Sequence, residues 1–118
     1  MPQIDADMGA ALMAYLERLA EDYRASWQGR GEESHVAEMI EDFSVSLTLE
    51  IGRKYVKIID GRRNGRSAHS FVVLSDGGGF QRGDILKAAG WQTPALNFRR
   101  GNVFEDRQGA DRISWAGF

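Results

Sequence analysis

Hydrophobic residues recur at steps of three and four over the first quarter of the chain. The series is Met8, Leu12, Tyr15, Leu19, Tyr23 and Trp27. This spacing places them on one face of an amphipathic helix over roughly residues 5–27. Asp5 and Asp7 come at its start, where carboxylates complement the helix dipole. The glycines at 29 and 31 predict its end, so residues 1–31 form an acidic helical region.

The hydrophobic period changes to two at Phe43. Apolar and polar residues alternate from Phe43 to Ile51, which predicts a strand with one buried face. Residues 54–60 predict a second strand, with Tyr55, Lys57 and Ile59 on one face and Val56 and Ile58 on the other. Two further strands are predicted over residues 68–74 and 84–89.

The strands are separated by short turn signals rather than by helical segments. Gly52-Arg53, Asn64-Gly65 and the glycine-rich residues 75–79 each predict a tight turn. Repeated turns at short intervals favour an antiparallel meander over a βαβ arrangement.

The sequence therefore predicts one α+β domain over residues 1–118. An N-terminal amphipathic helix packs on a three- to four-stranded antiparallel sheet, which occupies residues 43–90. Thr93-Pro94 has the pattern of an N-cap followed by the first helical position, so a short helix is predicted near 94–98. This helix belongs to a C-terminal part, residues 91–118. Its tail is expected to wrap the sheet or to pair at its edge. Residues 32–42 fit either a short second helix or an irregular lead-in. The predicted core is Met8, Leu12, Leu19, Val45, Leu47, Leu49, Val56, Ile58, Phe71 and Val73.

Charge is distributed unevenly along the chain, although the net charge is only −2. Residues 1–51 carry eleven acids and three bases, whereas residues 52–118 carry six acids and twelve bases. Such asymmetry indicates either a half that faces a polyanion or two halves that attract each other in the folded domain. With no cysteine, no apolar stretch of about 20 residues and an acidic N-terminus, the chain is expected in the cytoplasm, without membrane insertion or export.

Few residues have the spacing of a catalytic or metal site. His35 and His69 are the two histidines, and neither belongs to a nucleophile or metal-ligand motif. The glycine-rich residues 76–79 lack the following helix that a phosphate-binding loop requires. We therefore expect no enzyme activity, no metal and no cofactor, and we expect His69 to be a packing or hydrogen-bonding residue of its strand.

Basic and aromatic residues are interleaved in the second half of the chain. A sheet can bind single-stranded DNA or RNA through cations that contact the phosphates and aromatic rings that stack on the bases. Each stacked ring contributes about 1–3 kcal/mol to binding. The alternative is that the rings belong to the core and the cations solubilise turns. The predicted site consists of Arg53, Lys54, Tyr55, Lys57, Arg62, Arg63, Arg66, Lys87 and Trp91.

Four segments carry a resemblance to known proteins. The runs K-Y-V-K-I-I, S-A-H-S-F-V-V, G-D-I-L-K-A-A-G-W-Q-T-P-A and R-R-G-N-V-F, between Arg53 and Phe104, resemble small uncharacterised proteins of tailed bacteriophages. The resemblance covers a little under half of the chain. It implies a phage or prophage origin, expression in the bacterial host cytoplasm and an accessory, non-structural role, and it implies no catalytic residue.

The resemblance leaves two kinds of partner open. A weaker similarity of the strand pattern to Pur-type single-strand-binding domains, which act as paired sheets, implies nucleic-acid binding by a homodimer. Phage accessory proteins also act by inhibiting a host protein, for which an acidic helical face is suited. That face would consist of Glu17, Glu21, Asp22, Glu32 and Glu33.

Overall fold

The computed structural model describes residues 4–26, 37–39, 41–42, 46–61, 65–97 and 99–105. It confirms the α+β class, with one long helix followed by an antiparallel sheet. The sheet has five strands rather than the predicted three to four. The elements are α1 (Ala6–Ser26), β1 (Leu47–Ile51), β2 (Tyr55–Asp60), β3 (Ser67–Val73), β4 (Asp84–Lys87) and β5 (Gly101–Asn102).

Helix α1 buries the face that the sequence pattern predicts. Met8, Leu12, Tyr15, Leu19 and Tyr23 are all buried, whereas Trp27 lies outside the described residues. Asp5 is the N-cap, because its Oδ1 accepts a hydrogen bond from the Met8 backbone N–H at 2.8 Å. The same carboxylate forms an ion pair with Arg82, which links the start of the helix to the loop before β4.

The strand order in the sheet follows the order in the sequence, from β1 to β5, and every neighbouring pair is antiparallel. The predicted meander is therefore confirmed. The additional strand is Gly101–Asn102, which pairs with Asp84 and Ile85 of β4. A part of the C-terminal region thus pairs at the sheet edge, which was one of the two alternatives predicted for the tail. Residues 106–118 lie outside the described residues.

The two faces of the sheet bury separate apolar clusters. The face toward α1 packs Val56, Ile58, Val72 and Ile85 against the helix. The opposite face, which we call the outer face, carries a smaller cluster of three buried residues with Tyr55, Ala68, Phe80 and Ala88 at its margin. The three buried residues are Phe71, Val73 and Leu86. The predicted core is confirmed for Met8, Leu12, Leu19, Leu47, Val56, Ile58, Phe71 and Val73, with Leu49 only partly buried and Val45 outside the described residues.

A β-bulge brings a polar cluster under the helix. Ile58 pairs with Ser70 and Ile59 with Ala68, so His69 is an extra residue in β3. Ser70 Oγ lies 2.8 Å from Tyr15 Oη and 2.9 Å from His69 Nδ1. All three side chains are buried, so His69 packs against Tyr15 and contacts Ser70 within the fold.

Burial gives Tyr15 an effect on stability at alkaline pH. Its pKa is raised above the ordinary value of 10.0 because burial disfavours the phenolate, and the hydrogen bond with Ser70 opposes this only in part. The folded chain therefore holds a proton that the unfolded chain loses above that value. The contribution of the protonated Tyr15 phenol to the free energy of unfolding is fully present below pH 10.0. Above it, we expect the free energy of unfolding to fall by up to about 1.4 kcal/mol per pH unit.

The measurement is urea denaturation from about pH 9 to about pH 11 for the wild type and Tyr15→Phe, which has no phenol proton at this site. The variant should show the shallower loss of stability with pH. Equal pH dependence in both proteins would contradict the assignment.

The helix predicted near 94–98 is wrong for the residues described there. Pro94 instead forms an isolated bridge with Ala88, and the Ala95 N–H donates to the Lys87 carbonyl at 2.7 Å. Residues 88–95 therefore form a tight reversal, while Phe98 lies outside the described residues. In the uncertain stretch 32–42, residues 37–39 and 41–42 are helical. Among the described residues, no helical segment combines the length and apolar character needed to span a bilayer.

Candidate nucleic-acid interface

Trp91 lies on the outer face of the sheet, directly over a lysine of β2, the second of the five strands. The Lys57 Nζ is 3.8 Å from the centre of the indole ring, and the Arg66 guanidinium is 5.3 Å from it. Both distances are within the range of a cation–π interaction. The ring itself is 38% exposed. Two of the predicted cations and one predicted ring thus come together at one place.

Lys57 is a buried cation rather than a free one. Its residue is only 3% exposed, and its Nζ lies 3.2 Å from Gln92 Oε1 and 3.4 Å from Glu50 Oε1. A buried charge requires partners of this kind, because it has lost its water. Lys57 therefore supports Trp91 from below and is not available for contact with a phosphate.

A shallow concavity lies beside Trp91, and we call it the Trp91 shelf. Its volume is about 340 Å³. Small residues form its floor, Trp91 forms one wall, and Arg66 provides an exposed cation at the rim. Its residues are Arg66, Ser67, Ala68, Ala88, Ala89, Gly90 and Trp91.

The other end of β2 carries a second cationic group. Arg53 and Lys54 are exposed in the turn between β1 and β2, next to the partly buried Tyr55. Tyr55 packs edge-to-face on Phe71, with ring centres 6.0 Å apart. Because β2 has six residues, this group lies roughly 20 Å from Arg66 along the sheet.

The remaining predicted site residues do not join these groups. Lys87 is exposed at the end of β4, but it pairs with Ser70, whose side chain contacts α1, so Lys87 projects from the helix side of the sheet. Arg62 and Arg63 lie outside the described residues.

Two other arginines of the basic half are engaged by acids. Arg82 pairs with Asp5, and its guanidinium lies 4.9 Å from the Phe104 ring. Arg99 contacts Glu105 at 3.0 Å and the buried Asp84 at 3.4 Å. The hydrogen bond to Glu105 is the main reason that the pKa of Arg99 is raised. The pair of Arg82 with Asp5, like that of Lys57 with Glu50, joins the basic half to the acidic half, as the second interpretation of the asymmetry predicted, whereas both partners of Arg99 belong to the basic half itself.

Sequence reasoning missed the residues that hold Lys57. Glu50 is opposite Lys57 in the β1–β2 hairpin, and the short turn at Gly52 was the signal for that register. Gln92 had no such signal, because it reaches Lys57 only through the reversal after β4. Across the described ranges, no cluster of three or more histidine, aspartate or glutamate residues could hold a metal ion.

Comparison with known proteins gives a family but no activity. The model of a protein family of unknown function matches residues 1–118. No curated protein and no solved structure matches the chain.

Proposed function

The chain belongs to DUF7717, a family of unknown function, and we propose from its interface that it binds single-stranded DNA or RNA. In this proposal it is a non-enzymatic accessory protein, and the outer face of the sheet is the binding surface. The proposal rests above all on one observation, the exposed Trp91 ring beside Arg66.

An exposed tryptophan over a buried cation has a large, rigid surface for a base. Lys57 fixes the indole from below through a contact of 3.8 Å, so little rotamer freedom is left to lose on binding. The shelf beside the ring has a floor of small residues, Ala68 and Ala88 among them, which leaves room for a planar group. Arg66 at its rim is placed to contact a phosphate of the same nucleotide.

The two cationic groups support a strand that runs along β2. Arg53 and Lys54 stand at one end of the strand and Arg66 at the other, about 20 Å away. Rings accompany both groups, Tyr55 at the first and Trp91 at the second. A backbone that follows the sheet would meet a cation and a ring at each end, which is the usual composition of a single-strand-binding groove.

The proposed setting is a phage or prophage in the cytoplasm of its bacterial host. The support is the resemblance of four segments to tailed-phage proteins. Three of these segments include β2, β3 and β4, which carry most of the outer face.

A second candidate function is inhibition of a host protein through α1. The observation in its favour is an apolar strip on the exposed side of the helix, where Met13 is 54% exposed. Met13, Leu16 and Ala20 line a groove of about 480 Å³ together with Glu17, Glu21 and Arg24. Arg24 forms an ion pair with Glu21, so the groove has an excess of one acid. A partly apolar groove with this charge suits a basic protein surface rather than a nucleic acid.

Fluorescence anisotropy with labelled single-stranded DNA and RNA at two salt concentrations tests the first proposal. We expect micromolar binding that weakens steeply with salt. Trp91→Ala should weaken binding by roughly 5- to 150-fold, which corresponds to the loss of about 1–3 kcal/mol of stacking. Trp91→Phe should retain most of the affinity, and Arg66→Gln should lower the salt slope by about one.

Lys87→Gln is the matched control, because it removes an exposed cation from the helix side of the sheet. Its affinity should equal that of the wild type. If Lys87→Gln and Arg66→Gln weakened binding equally, the ligand would not lie on the outer face. Absence of binding at low salt would end the nucleic-acid proposal, and a pull-down from bacterial lysate with Met13→Glu as the control would then test the helix groove.

A further inference from the structure

Strand β1 lies at one edge of the sheet, and among the described strands only β2 pairs with it. The Gly61 N–H donates to the Ser46 carbonyl at 3.1 Å, just before β1 begins. Because backbone groups alternate in direction along a strand, the even-numbered residues of β1 point theirs at β2. The odd-numbered residues Leu47, Leu49 and Ile51 therefore point their backbone N–H and C=O groups away from the sheet.

This strand lacks the features that usually keep an edge from pairing with another chain. Such features are a proline, a lysine, a bulge or a very short length. β1 has five residues of sequence LTLEI and an unbroken register with β2. Its one charge, Glu50, is held 3.4 Å from Lys57 Nζ on the outer face. Within the described part of the chain, the edge is therefore open to a further strand.

An exposed isoleucine and an apolar groove lie on the helix side of the same strand. Ile51 is 50% exposed and stands opposite Val56, which packs under α1. Leu47, at the other end of β1, faces the same side and lines the groove of about 480 Å³ together with Met13 and Leu16. The strand thus has a protruding apolar side chain at one end and an apolar recess at the other.

We propose that β1 pairs with β1 of a second copy of this chain, antiparallel and about a two-fold axis at Leu49. A two-fold contact requires a surface that is complementary to itself. With the axis at Leu49, the outward backbone groups of Leu47 meet those of Ile51 of the second copy, and Leu49 meets its own counterpart. Every residue of β1 is then paired, and Ile51 of each copy lies beside the groove of the other.

The side chains of the strand favour this register over its neighbours. With the axis at Leu49, Glu50 lies opposite Thr48 of the second copy. An axis at Glu50 would place two carboxylates directly opposite each other, which is destabilising. An axis at Thr48 would carry Ile51 past the groove and leave it exposed.

The dimer does not depend on nucleic-acid binding, but it bears on both candidate functions. The axis is perpendicular to the sheet, so the two outer faces lie on the same side of one continuous sheet. Two Trp91 shelves would then share one surface. The groove on α1, in contrast, would be covered by the second copy, so the dimer and a host protein would compete for it.

Sedimentation equilibrium of the full chain without nucleic acid, over about 1–100 µM, tests the inference. We expect a reversible equilibrium between the monomer of 13.2 kDa and a dimer. Ile51→Lys should raise the dimer Kd about 10- to 100-fold, because apolar contact is lost at both ends of the interface. Leu96→Lys is the matched control, since Leu96 is 60% exposed beside Tyr55 of the outer face, and it should leave the Kd unchanged.

Two substitutions at the exposed Thr48 test the register with opposite signs. Thr48→Lys places an opposite charge across from Glu50 in both halves of the dimer and should lower the Kd roughly 2- to 30-fold. Thr48→Glu places like charges there and should raise the Kd by a similar factor.

The chain has no cysteine, so a single introduced thiol reports the position of the axis. At the axis, the two Cα atoms of residue 49 would lie about 5.5 Å apart, within the range of a disulfide. Those of residue 48 would lie about 8 Å apart, beyond that range. Leu49→Cys should therefore form a disulfide-linked dimer on oxidation, and Thr48→Cys should not.

A chain that stays monomeric up to about 100 µM would overturn the inference and leave the groove to a host protein. A dimer whose Kd ignores Ile51→Lys and both charge variants at Thr48 would also overturn it, because that dimer forms elsewhere. Dimerisation through β1 without any oligonucleotide binding would contradict the proposed function alone. Trp91-dependent binding by a strict monomer would contradict this inference alone.

Discussion

Tyr15→Ala is expected to lower the free energy of unfolding by about 3–5 kcal/mol, the usual cost of truncating a buried aromatic residue. Tyr15 is fully buried in the cluster between α1 and the sheet. The truncation leaves a cavity there and removes the hydroxyl that contacts Ser70 Oγ at 2.8 Å. Ser70 would keep its contact with His69 but lose its hydrogen bond with the helix.

Tyr15→Phe separates the two effects and should cost only about 1–3 kcal/mol, because it removes the hydroxyl and keeps the ring. Chemical denaturation followed by circular dichroism measures both variants. A similar loss for the two substitutions would mean that the hydrogen bond, and not the ring, supplies most of the stabilisation, which would contradict the packing argument.

Gly83→Ala is expected to cost about 2–4 kcal/mol, the sum of an unfavourable backbone conformation and a steric clash. Gly83 has φ of +89°, and a Cβ placed there would lie 2.5 Å from the Phe104 ring and 2.7 Å from Asn102 Oδ1. The backbone cannot easily move away. Its N–H donates to the Val73 carbonyl at 2.8 Å, and its carbonyl accepts from Val103 at 2.9 Å.

Gly79→Ala is the matched control, because Gly79 has the same φ of +89° but nothing within 4 Å of the added Cβ. This substitution should cost only the backbone part, about 1–2 kcal/mol. Thermal unfolding of the two variants gives the difference. Equal melting temperatures would show that the Phe104 ring moves aside at no cost in free energy. The steric clash would then make no contribution to the destabilisation by Gly83→Ala.

The local pattern of apolar and polar residues predicted most of the fold. The steps of three and four in α1 predicted which side chains are buried, and the alternation in β2 predicted which face of the sheet each side chain takes, although β2 is buried on both faces. Val56 and Ile58 do face the helix, and Tyr55 and Lys57 do face away. A strand of two residues such as Gly101–Asn102 is too short to show a period, so β5 had no comparable signal.

The helix predicted after Trp91 failed for a different reason. Thr93-Pro94 has helix-start chemistry, but capping signals contribute only about 1 kcal/mol. Here the sheet uses the backbone instead, through the bridge from Pro94 to Ala88 and the hydrogen bond from Ala95 to Lys87. Tertiary pairing thus overrode a local preference.

Of the candidate interface, the residue types were predictable but their roles were not. The sequence grouped Lys57 with exposed cations, whereas Glu50, Gln92 and Trp91 enclose it. Whether a lysine on a strand is free or enclosed depends on what folds over it, and the reversal after β4 that does so has no periodic pattern.

The sequential strand order has a consequence for how the chain folds. Each strand pairs with its neighbour in sequence, so the sheet can form one hairpin at a time with short loop closures. The contact between Tyr15 and Ser70 spans 55 residues, a much longer closure than those between neighbouring strands. Since long closures slow folding, we expect docking of α1 on the sheet to be slower than formation of the hairpins.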